Sequence, residues 1–220
     1  MDYGGPAKSI GPKEFLVKKI IVGLVGAVVV AGLGVGLWFF LDSSAVAATV
    51  GKTEITTSQV DGSIKEILAE RQSVSTTGMQ LATGPALRAQ QLNFYIISTL
   101  LAQTAAANNL TVTDAQVSTR TASISKQEGT AAKLKSGEVS AGISTSDFRS
   151  YVREILYVEA LTSLVEKQGT AVANSGTAVQ ALVRGQAAKV GITIKDGKKY
   201  GTWDPTQVTV VPPSATTTTK

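Results

Sequence analysis

Hydrophobic and polar positions divide the chain into stretches of different pattern. Residues 20–41 form one uncharged apolar run, whereas residues 45–211 mix helix-like and strand-like periods. As a helix, the run of 22 residues would rise about 33 Å, close to the roughly 30 Å of bilayer hydrocarbon. The pattern predicts a cytoplasmic tail over 1–19, a transmembrane helix over 20–41, one extracytoplasmic domain over 45–211 and a disordered Thr-rich tail over 212–220.

Charges beside the apolar run predict its orientation. Four lysines precede it, and only Asp42 follows before Lys52. The four are Lys8, Lys13, Lys18 and Lys19. Because basic residues stay on the cytoplasmic side, we predict a single-pass protein of the cell membrane with its N-terminus in the cytoplasm.

A cleaved signal peptide is the competing interpretation of the same run. Ala45-Val46-Ala47 has the small-x-small pattern of a cleavage site, so cleavage after Ala47 stays open. The apolar part of a secretory signal is usually about 7–15 residues long, and the longer run favours a retained signal anchor. In either case the domain is predicted to lie outside the cytoplasm.

Within the predicted anchor, Gly32 and Gly36 have the GxxxG spacing that lets two membrane helices approach closely. Glycine is common in membrane helices, so an anchor without a defined partner is the favoured interpretation. A homodimer through Gly32 and Gly36 is the minor alternative.

Short extended segments are predicted at both ends of the domain. Ala45–Val50 and Thr53–Ile55 flank the turn signal Gly51-Lys52 and predict a hairpin. Near the C-terminus, Ile192–Ile194 and Gln207–Val211 alternate like strands.

Most of the domain is predicted to be helical. Capping motifs mark three helix starts at Thr56-x-x-Gln59, Thr113-x-x-Gln116 and Ser144-x-x-Asp147. The first helix carries a predicted buried face of Val60, Ile64, Ile67 and Leu68. A long helix from Pro85 to about Ala107 has a centre that is apolar nearly all round, which predicts that other helices enclose it. The amphipathic segment from Phe148 to Val165 is predicted to pack against it. A short helix within 129–143 and a last one near Thr177–Val190 complete a mainly α domain with a small β element.

Charge and composition narrow the classes of function. Four of the 21 basic residues and two of the 16 acidic ones precede Asp42, which leaves a scattered net charge of +3 from Asp42 onward. That weak charge argues against a nucleic-acid partner. The sequence contains no Cys and no His. Disulfides, thiolate or imidazole metal sites and His-based catalytic triads are therefore excluded.

The remaining candidate chemistry is weak. Ser123 and Lys126 have the SxxK spacing of Ser-Lys acyl enzymes, but no SDN or KTG motif accompanies them, so we interpret them as a solvated helix face. Glu66 and Glu70, one helical turn apart, are interpreted as solubilising charges rather than as a metal or acid-base pair. We predict a protein without catalytic activity, cofactor or metal.

Three motifs, in their order along the chain, carry a resemblance to a known family. They are VGKTEITTSQVD at 50–61, the segment at 103–116 with NLTVTD, and the segment at 190–204 that closes with YGTWD. Together they resemble the N-terminal domain of SurA-type and PrsA-type extracytoplasmic chaperones, over about Ala45 to Val211. Many relatives also carry a parvulin-type prolyl isomerase domain, which we do not expect here because the sequence offers neither its length nor its histidine.

The resemblance implies a fold and a function. In the family, the C-terminal segment returns to the N-terminal strand, which would pair Ala45–Val50 with Gln207–Val211 and make Trp203 a core residue. It also implies a chaperone that binds unfolded or exported polypeptides without catalysis. An adaptor that binds one specific envelope or membrane protein is the alternative.

A holding chaperone needs exposed apolar side chains. We select Phe94, Tyr151 and Tyr157 as candidate client-binding residues, although a core position is the stronger expectation for each. The sequence does not locate the binding groove.

Overall fold

The computed structural model describes residues 45–213. The predicted anchor over 20–41, with Gly32 and Gly36, and the tail from Ser214 lie outside the described residues. None of the described helices is both long and apolar enough to cross a bilayer.

The described part of the chain is mainly helical, as predicted. Its elements, in chain order, are β1 (Val46–Val50), β2 (Thr53–Thr56), α1 (Thr57–Arg71), α2 (Gly84–Ala107), α3 (Asp114–Glu128), α4 (Ala131–Ala141), α5 (Phe148–Lys167), a 3-10 turn (Val172–Asn174), α6 (Ser175–Val190), β3 (Ile192–Ile194), α7 (Gly197–Tyr200), β4 (Thr202–Asp204) and β5 (Thr209–Val211).

Helix α2 forms the centre of the domain. Leu92, Ile96 and Leu100 are completely buried along it. The helix packs against α1, α5 and α6, so the predicted enclosure of this helix and its packing against α5 are confirmed. A helix surrounded in this way buries apolar side chains on nearly every face, which explains its weak amphipathicity.

Two predicted capping boxes are formed. The Thr56 hydroxyl accepts from the Gln59 N–H at 3.2 Å, and the Gln59 side-chain oxygen accepts from the Thr56 N–H at 2.8 Å. Thr113 and Gln116 repeat the arrangement at the start of α3. Each box satisfies two backbone donors that the helix leaves unpaired.

The third predicted cap differs. Helix α5 begins at Phe148, and Asp147 precedes it without a side-chain cap. Ser144 and Asp147 instead close a turn in which the Asp147 N–H donates to the Ser144 hydroxyl at 3.2 Å. The Asp147 carboxylate is drawn away from the helix end by donors from other elements.

The predicted pairing of Ala45–Val50 with Gln207–Val211 is wrong. Strand β1 lies between β2 and β3 in a three-stranded antiparallel sheet. Its partner from the C-terminal part is Ile192–Ile194, with Ala48 opposite Ile194 and Val50 opposite Ile192. Helix α6 ends beside β1, where the Gly51 N–H donates to the Gly191 carbonyl at 2.9 Å. The first strand after the helix, β3, therefore pairs with the open edge of β1.

The last strand pairs locally instead. Strand β5 forms a hairpin with β4, and Trp203 lies opposite Val210. The hairpin attaches to α2, where the Asn93 side-chain oxygen accepts from the Val210 N–H at 3.0 Å. Trp203 is partly buried against the main core, in agreement with the role predicted for it.

Leu68 is not part of the buried face predicted for α1. Val60, Ile64 and Ile67 are buried, but Leu68 is 39% exposed. The buried face of the helix also includes the polar residues Ser63 and Glu70, which form hydrogen bonds with the turn before α5. Polar contacts between elements therefore decide which side of α1 is covered.

Candidate functional site

An open groove with apolar walls lies between α3, α4 and α5. Its volume is about 260 Å³. We call it the apolar groove, and its apolar lining consists of Ile124, Leu134, Ala141, Ile143, Phe148, Tyr151 and Ile155. An ion pair between Arg120 and Glu159 stands at its rim, with both side chains about one-third exposed. A cleft of this kind offers apolar contact inside and charges at the edge.

A small second core packs behind the apolar lining of the groove. Val117, Phe148 and Val152 pack together there, separate from the main core around α2. The rings of Phe148 and Tyr151 are stacked with centroids 6.5 Å apart. Ile124 and Leu134 pack against this cluster while remaining partly exposed. Side chains that line the groove therefore pack against the second core on one side and remain accessible to solvent on the other.

The three candidate client-binding residues do not lie together. Phe94 is only 4% exposed and belongs to the interior. Its ring meets that of Tyr95 edge to face, with centroids 5.2 Å apart. Tyr151 lines the apolar groove, whereas Tyr157 lines a second, polar groove. Of the three, Tyr151 alone lines the apolar groove.

Asp147 is the centre of a buried hydrogen-bond network beside the apolar groove. Its carboxylate accepts from the Ser63 hydroxyl at 2.6 Å, the Ser144 hydroxyl at 2.7 Å and the Tyr95 hydroxyl at 2.9 Å. These donors come from α1, α2 and the turn before α5. Burial and the Asp147 carboxylate both raise the pKa of the Tyr95 phenol. The network fixes the start of α5, which carries one wall of the groove.

Glu66 and Glu70 join this network, so their interpretation as solubilising charges is wrong. Glu70 is 7% exposed, forms an ion pair with Lys135 and accepts from the Thr145 N–H at 3.0 Å. Glu66 accepts from the Ser146 N–H at 3.1 Å. Burial alone would raise the pKa of Glu70, but Lys135 and Thr145 outweigh it and lower that pKa. Lys135 lies on α4, so this ion pair fastens α4 to α1.

The second groove has a volume of about 460 Å³ and lies between β2, α2 and α5. We call it the polar groove. Its lining includes Glu54, Tyr95, Ser98, Gln103, Arg153, Glu154 and Tyr157. Glu154 is only 2% exposed, which places its carboxyl at the floor rather than at the rim.

Glu154 has an unusual environment for a carboxyl group. It accepts a hydrogen bond from the Ser98 hydroxyl. Burial raises its pKa to about 8, with a further contribution from the negative charge of Asp147. Among the described residues that line the polar groove, Arg153 is the one cation, and it forms an ion pair with Asp114. A carboxyl in a groove whose pKa is strongly raised by burial is a candidate functional group.

The other residues considered for catalysis or metal binding do not form a site among the described residues. Ser123 and Lys126 are both exposed on α3, as predicted for a solvated helix face. Within residues 45–213, no group of three or more carboxylates could hold a metal ion.

The groove residues were missed because no short motif marks them. Ile124, Leu134 and Ile155 come from three helices, and only the packing of those helices brings them together. Glu154 did carry a signal, because it lies three residues after Tyr151 and four before Val158 on the apolar stripe of α5. A carboxylate within such a stripe indicates a buried charge.

Comparison with known proteins places the chain in a family. Searches of curated proteins and of solved structures found no significant match. The family model described as the SurA-like N-terminal domain matches residues 12–162, more than half of the 220 residues. That range begins before the apolar run and ends within α5, and it includes every residue that lines the apolar groove. The chain belongs to the SurA-like N-terminal domain family.

Proposed function

We propose that this protein is a membrane-anchored, extracytoplasmic chaperone that holds unfolded or newly exported polypeptides in the apolar groove. The observation that carries the proposal is the groove itself, an accessible cleft lined by aliphatic and aromatic side chains. Membership of the SurA-like N-terminal domain family supports a chaperone-like role.

Apolar contact suits a protein that must bind many sequences. Burying apolar surface is favourable by about 25 cal/mol per Å² and has no directional requirement. A groove lined by Ile124, Leu134 and Ile155 would accept any apolar side chain of similar size. The Arg120–Glu159 ion pair at the rim would stay in water and keep the empty groove soluble. Binding of this kind is reversible, as holding requires.

The proposed location rests on the sequence. The uncharged run at 20–41 is long enough to span a bilayer, and the lysines before it favour an N-terminus in the cytoplasm. The domain over 45–211 would then meet polypeptides as they emerge from the membrane. We propose holding without catalysis, because the sequence lacks the Cys and His residues on which most nucleophilic and acid-base sites depend.

The test is suppression of aggregation by the full chain in lipid nanodiscs. A chemically unfolded protein is diluted into buffer with the nanodiscs, and light scattering is recorded against empty nanodiscs. We expect suppression near an equimolar ratio. Leu134→Ser, inside the groove, should weaken suppression several-fold, because a hydroxymethyl group replaces an apolar wall.

Leu68→Ser is the matched control. It makes the same chemical change at a leucine that is 39% exposed on α1 and does not line the groove. We expect it to suppress aggregation as the wild type does. Equal activity of the two variants, or no suppression by the folded wild type, would contradict the proposal and favour an adaptor for a single envelope or membrane protein.

A further inference from the structure

The polar groove borders a strand edge. Strand β2 is at one end of the sheet order β2-β1-β3, so its outer side has no strand partner among the described residues. Thr53, Glu54 and Ile55 of this strand line the groove. An unpaired strand edge offers backbone donors and acceptors to an extended polypeptide.

Acceptor groups line the same groove. The Glu154 carboxyl bonds to Ser98 but faces no unengaged cation among the described residues that line the groove. The Gln103 side-chain nitrogen donates to the Val50 carbonyl at 3.3 Å, while its oxygen is buried and has no partner among the described residues. Glu54 adds a second carboxylate beside the strand edge. These oxygens can accept further hydrogen bonds, and a guanidinium or ammonium group, which carries only donors, is their complement.

We propose that the polar groove receives an arginine or lysine side chain of an extended polypeptide, with the Glu154 carboxylate as its ionic partner and the edge of β2 alongside the polypeptide backbone. This inference deepens the proposed function and rests on it. The apolar groove would bind apolar segments, and the polar groove would add a preference for basic residues.

Binding of a cation should be coupled to loss of a proton from Glu154. Because the pKa of Glu154 is raised to about 8, the carboxyl is mostly protonated at pH 7, and an ion pair requires its charged form. Other titratable or charged groups around it come from three elements and the turn before α5. They are Tyr95 from α2, Glu54 from β2, and Asp147, Tyr151, Arg153 and Tyr157 from α5 and the turn before it.

These neighbours do not obscure the expected pH dependence. Burial raises the pKa of both Tyr95 and Tyr151, which keeps the two phenols neutral. Arg153 is engaged with Asp114 on α3. Glu154 is therefore the group whose titration should control binding between pH 7 and pH 9.

The probe is an extended peptide of Thr, Val and Ser with one central arginine, compared with the same peptide carrying citrulline. Citrulline has nearly the same shape but no charge. Calorimetry with the full chain in nanodiscs should show about tenfold tighter binding of the arginine peptide at pH 9 than at pH 7. At pH 7, titrations in two buffers of different ionisation enthalpy should report release of about 0.9 proton. The citrulline peptide should bind more weakly and independently of pH.

Two variants locate the effect. Glu154→Gln keeps the side-chain size and should abolish both the arginine preference and the pH dependence. Glu166→Gln makes the same change at a partly exposed position on α5 that lines neither groove, and it should leave both unchanged. Equal binding of the two peptides by the wild type, or an unchanged pH dependence in a folded Glu154→Gln, would overturn the inference. If Glu154→Gln does not fold, the comparison of peptides and buffers with the wild type still decides.

Failure of this inference differs from failure of the proposed function. Aggregation suppression that depends on Leu134, without a preference for arginine, would overturn only the assignment of the polar groove. A preference for arginine without any suppression would support that assignment and contradict holding of unfolded polypeptides.

Discussion

Replacing Asp147 by alanine should destabilise the domain markedly. The carboxylate is 9% exposed and accepts from the hydroxyl groups of Ser63, Ser144 and Tyr95. Alanine removes every acceptor at once and leaves a space beside three polar groups. The start of α5 would lose its attachment to α1 and α2.

The size of the effect follows from the hydrogen bonds. A bond to a charged group contributes about 1.5–3 kcal/mol, so the three would sum to several kcal/mol. Each donor nevertheless has a second acceptor nearby. Ser63 can turn to the Gln91 side-chain oxygen at 3.0 Å, Ser144 can turn to Ser146, and Tyr95 can turn to the Gln59 carbonyl at 3.3 Å. With about 1 kcal/mol remaining for each bond, we expect a loss of about 3 kcal/mol.

Urea unfolding of the full chain in mild detergent, followed by far-UV circular dichroism, measures this loss. Asp147→Asn should lose about half as much, because it keeps one acceptor oxygen and the side-chain size. Asp114→Ala is the control, since that side chain is 82% exposed and its ion pair with Arg153 should contribute less than about 1 kcal/mol. If Asp147→Ala costs no more than Asp114→Ala, the network does not hold the start of α5.

Other predictions concern backbone strain and titration. Gly201→Ala should lower the free energy of unfolding by at least about 3 kcal/mol, because Gly201 has φ +98° and a Cβ would lie 1.9 Å from the Val211 carbonyl oxygen. Gly185→Ala, on an open helix surface, should raise it by about 0.5–1 kcal/mol in the same urea assay. The raised pKa of Glu154 means that the folded state binds more protons than the unfolded state. The free energy of unfolding should therefore fall as pH rises from about 4.5 to 8, by up to about 1.4 kcal/mol per pH unit. Glu154→Gln should flatten that slope. The lowered pKa of Glu70 has the opposite effect on stability. The contribution of Glu70 to the free energy of unfolding should be present above pH 4.5 and lost on acidification through its folded pKa. Glu70→Gln should remove that loss from an acid titration.

Local rules predicted much of the fold. The capping boxes at Thr56 and Thr113 depend on four consecutive residues, and both formed as expected. The enclosed character of α2 was visible in its apolar composition, and its packing against α5 followed from the apolar stripe of that helix. Such features need no knowledge of distant partners.

Features that depend on distant partners were missed. The pairing of β1 with β3 rather than β5 follows from where α6 ends, at Gly191 beside Gly51. Glu70 is buried because Lys135, 65 residues away, meets it. The apolar groove likewise exists only after α3, α4 and α5 have packed. Periodicity shows that a helix has an apolar face but does not show which part of that face stays open.

The most direct measurement is photocrosslinking in living cells from inside the apolar groove. A photoreactive amino acid is placed at position 124 of the full chain, with position 68 on α1 as the control outside the groove. We predict crosslinks from position 124 to many exported polypeptides and few from position 68. No polypeptide crosslinks at position 124, or one dominant partner, would contradict a general holding role for this protein.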